Sequence, residues 1–180
     1  MSIGSPEAET IARLVDFSAG RVHIDDLPGG LDFDSVVLGV DAATGAHIVS
    51  VGGAPTPNST AAALKLLAGL AGSDHRSVAV LSELSTGQAD WRDEHDRIGR
   101  LVVRLNVGQL VVVGDGARHI HNAAGLEGSW DGESQLVQTA DEAYDLLRED
   151  LRAGDVVLVG SSGLMPLESI TARLSGGAAW

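Results

Sequence analysis

The 180-residue sequence has no cysteine and few aromatic residues. The absence of cysteine excludes disulfide bonds, thiolate nucleophiles and cysteine-ligated metals. Hydrophobic residues make up 44% of the chain but aromatic residues only 3%. The composition therefore allows one domain with an aliphatic core, and it provides few rings for stacking.

Positive charge is also scarce. Twelve lysine and arginine residues oppose 25 acidic ones, which gives a formal net charge of −13. Such a charge repels phosphate backbones and anionic lipids, so we expect neither nucleic acid nor a membrane surface as a partner. The single lysine, Lys65, follows Leu64 in a helical segment. A phosphate-binding loop needs Gly-Lys-Ser/Thr, so the sequence predicts none.

The sequence has no apolar segment of about 18 residues, so we expect no membrane insertion. Residues 1–10 are acidic and lack the apolar region of a signal peptide. We therefore expect a cytoplasmic protein.

Helical and strand patterns alternate from Thr56 to Leu174, with turn residues at the junctions. This alternation predicts an α/β fold, a Rossmann-like, mostly parallel sheet with helices on both faces. The predicted strands cover 78–81, 110–113, 135–137 and 156–159, and the predicted helices cover 56–71, 90–106, 141–151 and 167–174.

The first 46 residues have a different pattern. They predict an N-terminal appendage with a short helix over 8–17, a loop at 25–30 and the first strand of a hairpin at 35–40. The hairpin turns at 41–45, and the α/β domain is predicted over 47–174. Residues 175–180 are expected to be a frayed tail.

A polar loop, 82–87, follows the strand at 78–81, and open α/β sheets bind ligands at this end of their strands. Ser82 and Glu83 are therefore candidate ligand contacts, although Glu83 is equally consistent with a solvated loop acid. His95, on the next helix, is a candidate to hydrogen-bond the loop and a substrate. The alternative is a half-exposed histidine that packs on the sheet.

Three other motifs are weaker indications of a functional site. His119 and His121, with Asp115, resemble a metal site, but residues two apart do not share a face of a helix, so we expect no metal there. Gly114-x-Gly116 lacks the third glycine of a dinucleotide fingerprint and predicts a turn. In the segment 160–163, Ser161 and Ser162 could bring backbone N–H groups to an anion, or could belong to a flexible turn.

A set of motifs occurs in a fixed order along the chain: Pro57, Ser59 and 62–64 at the first helix, 78–84 with Gly87, His95 with Gly99, 111–114, 154–159, and Ser162, Met165, Leu167 and Glu168. In these positions and in their order, about two-thirds of the chain resembles the C-terminal domain of the Mur ligases. The similarity is nearest to the branch that adds D-alanyl-D-alanine.

This resemblance implies a Rossmann-like domain that helps to bind the incoming amino acid or dipeptide in peptidoglycan precursor synthesis. It implies ATP and Mg²⁺ only if a partner domain supplies their site, because in the family a separate central domain holds the nucleotide. The substrate-binding positions it implies, together with the loop residues above, are Thr56, Asn58, Ser82, Glu83, His95, Ser161 and Ser162, and no catalytic residue is assigned.

The chain departs from the family at charged and amide positions. An Asn-Ala-Asn segment is replaced by 54–56, an Asp-x-Tyr segment by 51–53, and a lysine and an arginine after the last strand by Gly160 and Gly163. Glycine removes both the charge and the reach of those side chains.

The sequence is therefore consistent with three functions. The first is a ligase domain that needs a partner ATPase or cell-wall enzyme and binds a peptide-like small molecule. The second is a non-catalytic binding or regulatory module for a protein or small ligand, which the lost charges favour. The third is a small-molecule enzyme that uses Glu83 and His95 as acid–base groups.

Overall fold

The computed structural model describes residues 35–87, 89–160 and 163–176. The predicted helix at 8–17 and the loop at 25–30 lie outside these residues, as do Ser161 and Ser162. Among the described helices, none combines the length and the apolarity needed to cross a membrane.

A six-stranded sheet forms the centre of the fold, with the strand order β1-β2-β6-β3-β4-β5. Strand β1 is antiparallel to β2, and all other neighbouring pairs are parallel. The strands are β1 (Ser35–Val40), β2 (His47–Gly52), β3 (Ser77–Leu81), β4 (Gln109–Val113), β5 (Glu133–Val137) and β6 (Val156–Val159).

In the part of the chain that the structure describes, four α-helices connect the strands from β2 to β6 and a fifth follows β6. They are α1 (Pro57–Ala71), α2 (Trp91–Arg104), α3 (Arg118–Gly125), α4 (Ala140–Asp150) and α5 (Glu168–Leu174). A short 3₁₀ turn, Asp115–Ala117, precedes α3. Helices α1, α2, α4 and α5 agree with the predicted helices to within one or two residues. A short helix is also expected from the sequence between the turn at 114–116 and His119, and α3 extends beyond His119 to Gly125.

Alternating side chains of the sheet build a core on each face. Ala79 and Leu81 belong to one core, which includes apolar residues of α1, α2 and α3. Val78 and Val80 belong to the other, which includes residues of α4 and α5. The central strands are buried on both faces, as expected for parallel strands between two helix layers. The predicted α/β fold is confirmed.

Strand β1 is part of the same sheet as the strands of the predicted domain. It pairs with β2 through the predicted hairpin, and Val36 and Leu38 are buried in the core that contains α1. The hairpin is thus confirmed. The division of the chain at residue 46 and the frayed tail at 175–180 stay predictions.

Ion pairs stabilise the edge of the sheet where the parallel strands begin. Arg76 contacts Asp155 through Nη2 at 2.6 Å and Asp150 through Nη1 at 2.8 Å. Arg148 Nη1 lies 2.6 Å from Asp41 Oδ2 in the hairpin turn. The buried carboxylates at this edge, Asp41 and Asp155, are therefore neutralised by arginine, as burial of a charge requires.

Helices α2 and α3 approach closely at Gly99. A Cβ atom at this position would collide with the carbonyl oxygen of Ile120 and would lie 2.8 Å from the Cβ of Ala123. The absence of a side chain therefore allows α2 to pack on α3, and α2 carries His95.

We predict that Gly99→Ala destabilises the protein, although alanine favours a helix over glycine by about 1 kcal/mol. The added methyl group must displace backbone or Ala123, and overpacking of this kind costs about 1–3 kcal/mol. Urea denaturation measures the free energy of unfolding. Gly125→Ala is the matched control, because a Cβ there has no neighbour within 4 Å. Equal stability of Gly99→Ala and the parent protein would contradict the close packing.

Candidate functional site

A cleft of about 590 Å³ lies at the carboxyl ends of the neighbouring strands β3 and β6. The chain leaves β3 toward α2 on one face and leaves β6 toward α5 on the other. Divergence of two adjacent strand–helix connections opens a crevice at this point of an α/β sheet. The lining residues are Glu83, Leu84, Ser85, Thr86, Trp91, Gly163 and Leu164.

The walls of this cleft are joined by contacts between loops. The backbone N–H of Ser85 donates to the carbonyl oxygen of Pro55 at 2.9 Å, which connects the loop after β3 to the loop after β2. A Cβ at Gly163 would lie 3.2 Å from Pro55 Cγ and 3.4 Å from the carbonyl oxygen of Glu83. The segment after β6 therefore packs closely against the other two loops.

His95 contacts the loop after β3 from the protein interior. Its side chain is fully buried, and its Nε2 accepts a hydrogen bond from the backbone N–H of Leu84 at 3.1 Å. Its Nδ1 lies 2.6 Å from the carbonyl oxygen of Trp91, so Nδ1–H is the donor there. The predicted hydrogen bond to the loop is confirmed. The half-exposed alternative is wrong, because the stripe that α2 buries also includes His95.

These two hydrogen bonds require a neutral imidazole. Burial lowers the pKa of His95 below 6.5, although the hydrogen bond to Trp91 and the charge of Glu83 act in the opposite direction. Protonation of Nε2 would also place two N–H groups against each other at Leu84. Both ring nitrogens are engaged, so the geometry argues against His95 as an acid–base partner of Glu83.

Glu83 reaches the cleft, where Trp91 orients its carboxylate. The indole Nε1–H donates to Glu83 Oε1 at 3.3 Å. The carboxylate lies against Gly116, where a Cβ would collide with it. The Trp91 ring also contacts two imidazoles, with centroid distances of 4.9 Å to His95 and 5.0 Å to His119. Glu83 is thus a positioned cleft residue.

The other predicted residues occupy different surroundings. Thr56 caps α1, since its Oγ1 accepts from the backbone N–H of Ser59 at 3.1 Å. Asn58 is exposed, and its Oδ1 lies 3.5 Å from Arg97 Nη2. Ser82 is buried, and its hydroxyl has no hydrogen-bond partner among the described residues. Of the described predicted residues, only Glu83 lines the cleft, and roles for the others in substrate binding stay predictions.

The two histidines of the sequence motif lie on α3 and have different neighbours. His119 Nδ1 is 3.6 Å from Asp96 Oδ1, whereas His121 Nδ1 is 2.7 Å from Ser134 Oγ. Asp115 pairs with Arg118 at 3.3 Å. Over the ranges that the structure covers, no group of three or more His, Asp or Glu side chains is arranged to hold a metal ion.

Sequence reasoning did not find three residues that shape the cleft. Trp91 was overlooked although aromatic residues are scarce, and that scarcity was the available signal. Gly116 was interpreted as a turn, and its contact with Glu83 depends on tertiary structure. Leu164 is 85% exposed beside the cleft, and its apolar side chain in a polar loop was a weak signal.

The model of the Mur ligase, glutamate ligase domain family matches residues 38–163. The match covers well over half of the chain, and the α/β sheet and the cleft lie within or beside it. The chain belongs to this family of Mur ligase domains.

Mycobacterial proteins with a named activity are similar to this chain in sequence. Over 133 residues the chain is 42% identical to the UDP-N-acetylmuramoyl-tripeptide–D-alanyl-D-alanine ligase of Mycobacterium leprae. The aligned region covers 67% of this chain and 26% of that protein. The ligase of the same name from Mycobacterium tuberculosis is 42% identical over 134 residues, covering 66% of this chain and 26% of that protein. The chain thus spans about a quarter of the length of these relatives.

Solved structures show the same fold. MurF from Thermotoga maritima, in complex with ADP, has a TM-score of 0.60 at 15% identity, covering 87% of this chain and 34% of that one. MurF from Acinetobacter baumannii has a TM-score of 0.59 at 18% identity, covering 84% and 32%. A ligase domain from Haemophilus ducreyi has a TM-score of 0.51 at 16% identity, covering 83% of this chain and all of that one.

We predict that His95→Leu lowers the free energy of unfolding at neutral pH by about 1–3 kcal/mol, because the buried N–H of Leu84 loses its acceptor. His95→Gln should lower it less, because the amide oxygen of glutamine can accept that hydrogen bond. The folded-state pKa lies below the ordinary 6.5. Between these two values the unfolded chain binds more protons, so the contribution of neutral His95 is complete above 6.5 and is lost as pH falls toward the folded pKa.

Urea denaturation at about pH 7.5 and about pH 5.5 measures this dependence. The parent protein should lose more stability on acidification than His95→Gln. His121→Gln is the control, because His121 contacts Ser134 and is not among the groups that lower the pKa of His95, and this variant should retain the larger loss. Identical losses in the parent protein and His95→Gln would show that His95 is not buried in its neutral form.

Proposed function

We propose that this chain acts as a Mur-ligase C-terminal domain that presents an amine-bearing, peptide-like acceptor during amide-bond formation on a UDP-muramoyl peptide. The reaction class comes from the mycobacterial relatives, whose names specify a muramoyl tripeptide and D-alanyl-D-alanine. In such a ligation the amine nitrogen attacks an activated acyl carbon, loses a proton and expels the leaving group. A cytoplasmic location is part of the proposal.

The observation that carries the proposal is the cleft at the carboxyl ends of β3 and β6. It contains a carboxylate, Glu83, which the indole of Trp91 orients and which can accept hydrogen bonds from an ammonium group. The wall that carries Glu83 is fixed by His95 through Leu84. A fixed wall holds an acceptor in one orientation, which is the main contribution that a non-catalytic domain makes to a bimolecular step.

The residues that the structure describes do not fit a nucleotide–metal site of their own. Lys65 is exposed on α1, and the turn before that helix has no Gly-Lys-Ser/Thr sequence. The acidic residues and histidines of the described ranges form no metal cluster. We assign ATP and Mg²⁺ to a separate ATPase domain, and we do not expect this chain to form the amide bond alone.

A second function is a binding or regulatory module that keeps the fold and binds a protein or a small ligand. The specific observation in its favour is that Gly160 and Gly163 replace the lysine and arginine of the family pattern. Loss of two cations weakens binding of a nucleotide or a carboxylate, so a module of this kind would not respond to ligase substrates.

We predict that D-alanyl-D-alanine or a UDP-muramoyl tripeptide, at millimolar concentration, raises the thermal midpoint of the purified chain. A ligand that binds only the native state stabilises it by about 2.7 kcal/mol at one hundred times Kd. Glu83→Gln should reduce the rise. Glu149→Gln, on the exposed face of α4, removes the same charge elsewhere and should not.

ATP with Mg²⁺ should leave the midpoint unchanged. A lack of response to the dipeptide, to other amine-bearing peptides and to the muramoyl peptide would refute the ligase proposal and favour the binding module. A rise with ATP and Mg²⁺ would contradict the assignment of the nucleotide to a separate domain.

A further inference from the structure

The segment after β4 contacts both members of the hydrogen bond between Glu83 and Trp91. Gly116, in the 3₁₀ turn, lies against the Glu83 carboxylate, because a Cβ atom there would collide with Oε2. Three residues further on, His119 in the first turn of α3 contacts the Trp91 ring. The pair in the cleft is therefore supported by a second strand connection, in addition to the support that His95 gives.

The hydrogen bond between Trp91 and Glu83 is too long to fix the indole alone. Its length of 3.3 Å exceeds the roughly 2.9–3.0 Å that is usual for N–H···O bonds. Trp91 is the first residue of α2, and Asp90 before it makes no side-chain capping bond. The His95 ring contacts the indole as well, but its hydrogen bond goes to the backbone carbonyl oxygen of Trp91. The direction of the indole N–H therefore depends on contacts between rings.

His119 makes a ring contact of the kind that restrains an indole. Its imidazole meets the Trp91 ring at 79° with the centroids 5.0 Å apart, and aromatic pairs prefer this edge-to-face arrangement. Its Nδ1 lies 3.6 Å from Asp96 Oδ1, and its side chain is 25% exposed. Trp91 and Asp96 both belong to α2, so His119 contacts that helix at two points. Rotation of the indole away from Glu83 would break the edge-to-face contact.

We infer that His119 is a positioning residue of the cleft, whose imidazole holds the Trp91 indole with its Nε1–H directed at Glu83. His119 is not among the residues that line the cleft, so it acts through Trp91 and not by touching the acceptor. The inference rests on the proposed function, because it takes Glu83 to receive the ammonium group of the acceptor. Loss of His119 should leave Glu83 in the cleft but misdirect its carboxylate, since the hydrogen bond that orients it weakens.

The first test measures the hydrogen bond between Trp91 and Glu83 without a ligand. The three tryptophans give three indole signals in a ¹H–¹⁵N correlation spectrum, and Trp91→Phe identifies that of Trp91. The change in this signal on Glu83→Gln is measured in the parent chain and again in His119→Ala, so the ring current of His119 cancels. In His119→Ala the change should fall to about half or less, as expected for coupled neighbours. The indole signal of Trp130, which donates to Val107, confirms that each variant is folded.

Two further backgrounds assign the effect to the imidazole ring. His119→Phe keeps an aromatic ring against Trp91 but loses the polar contact with Asp96, and it should retain most of the change. His121→Ala removes another histidine of α3, whose partner is Ser134, and it should retain all of the change.

The second test measures binding of the acceptor. D-alanyl-D-alanine is titrated into the same labelled chains, and His119→Ala should raise its Kd about threefold to tenfold. In the Glu83→Gln background the same substitution should change Kd by less than about twofold, because the carboxylate that His119 positions is already absent. A general effect on the fold would instead weaken binding equally in both backgrounds.

These outcomes separate the inference from the proposed function. An equal Glu83→Gln change in the parent chain and in His119→Ala, or an equal change in Kd in both backgrounds, would overturn the positioning role. A loss in His119→Phe as large as that in His119→Ala would overturn the ring contact as its cause. If neither the dipeptide nor the muramoyl peptide binds the parent chain while His119 remains coupled to the Trp91 signal, the proposed function fails and the positioning of Trp91 stands.

Discussion

The candidate site depends on one buried imidazole that bridges a helix and a loop. His95 receives the N–H of Leu84 and donates to the carbonyl oxygen of Trp91, so one side chain fixes the wall that carries Glu83 and the helix start that carries its indole partner. Both bonds need the neutral form, which burial favours. The close approach of α2 to α3 at Gly99 fixes the helix that carries this histidine. Packing at a distance from the cleft therefore determines the shape of its wall.

The two ends of the parallel strands have different roles, one in stability and the other in binding. The edge where the parallel strands begin is closed by arginine–carboxylate pairs, and its buried acids are neutralised. At the other edge the connections after β3 and β6 diverge and leave a cleft in which a carboxylate has no cationic partner among the described residues. This contrast is the physical basis for assigning binding to the carboxyl ends of β3 and β6, where we propose that an acceptor amine binds.

Much of the fold could be predicted from the sequence, because short apolar strands and helix caps such as Thr56 indicate the α/β pattern. The position of Glu83 at the carboxyl end of a strand followed from the same α/β pattern. The fully buried state of His95 did not, since the surrounding acids and arginines made that turn of α2 look solvated. Trp91 and Gly116 were missed as well, because each contributes through a tertiary contact with Glu83, and only the scarcity of aromatic residues pointed to Trp91.

The central claim is that His95 is neutral, with its proton on Nδ1, and holds the loop through Nε2. A long-range ¹H–¹⁵N correlation spectrum of the uniformly labelled chain at neutral pH reports this directly, with His95→Gln to assign the signal. The account predicts the neutral Nδ1–H tautomer. A charged imidazolium, or a neutral ring protonated on Nε2, would contradict it, because neither can accept the hydrogen bond from Leu84.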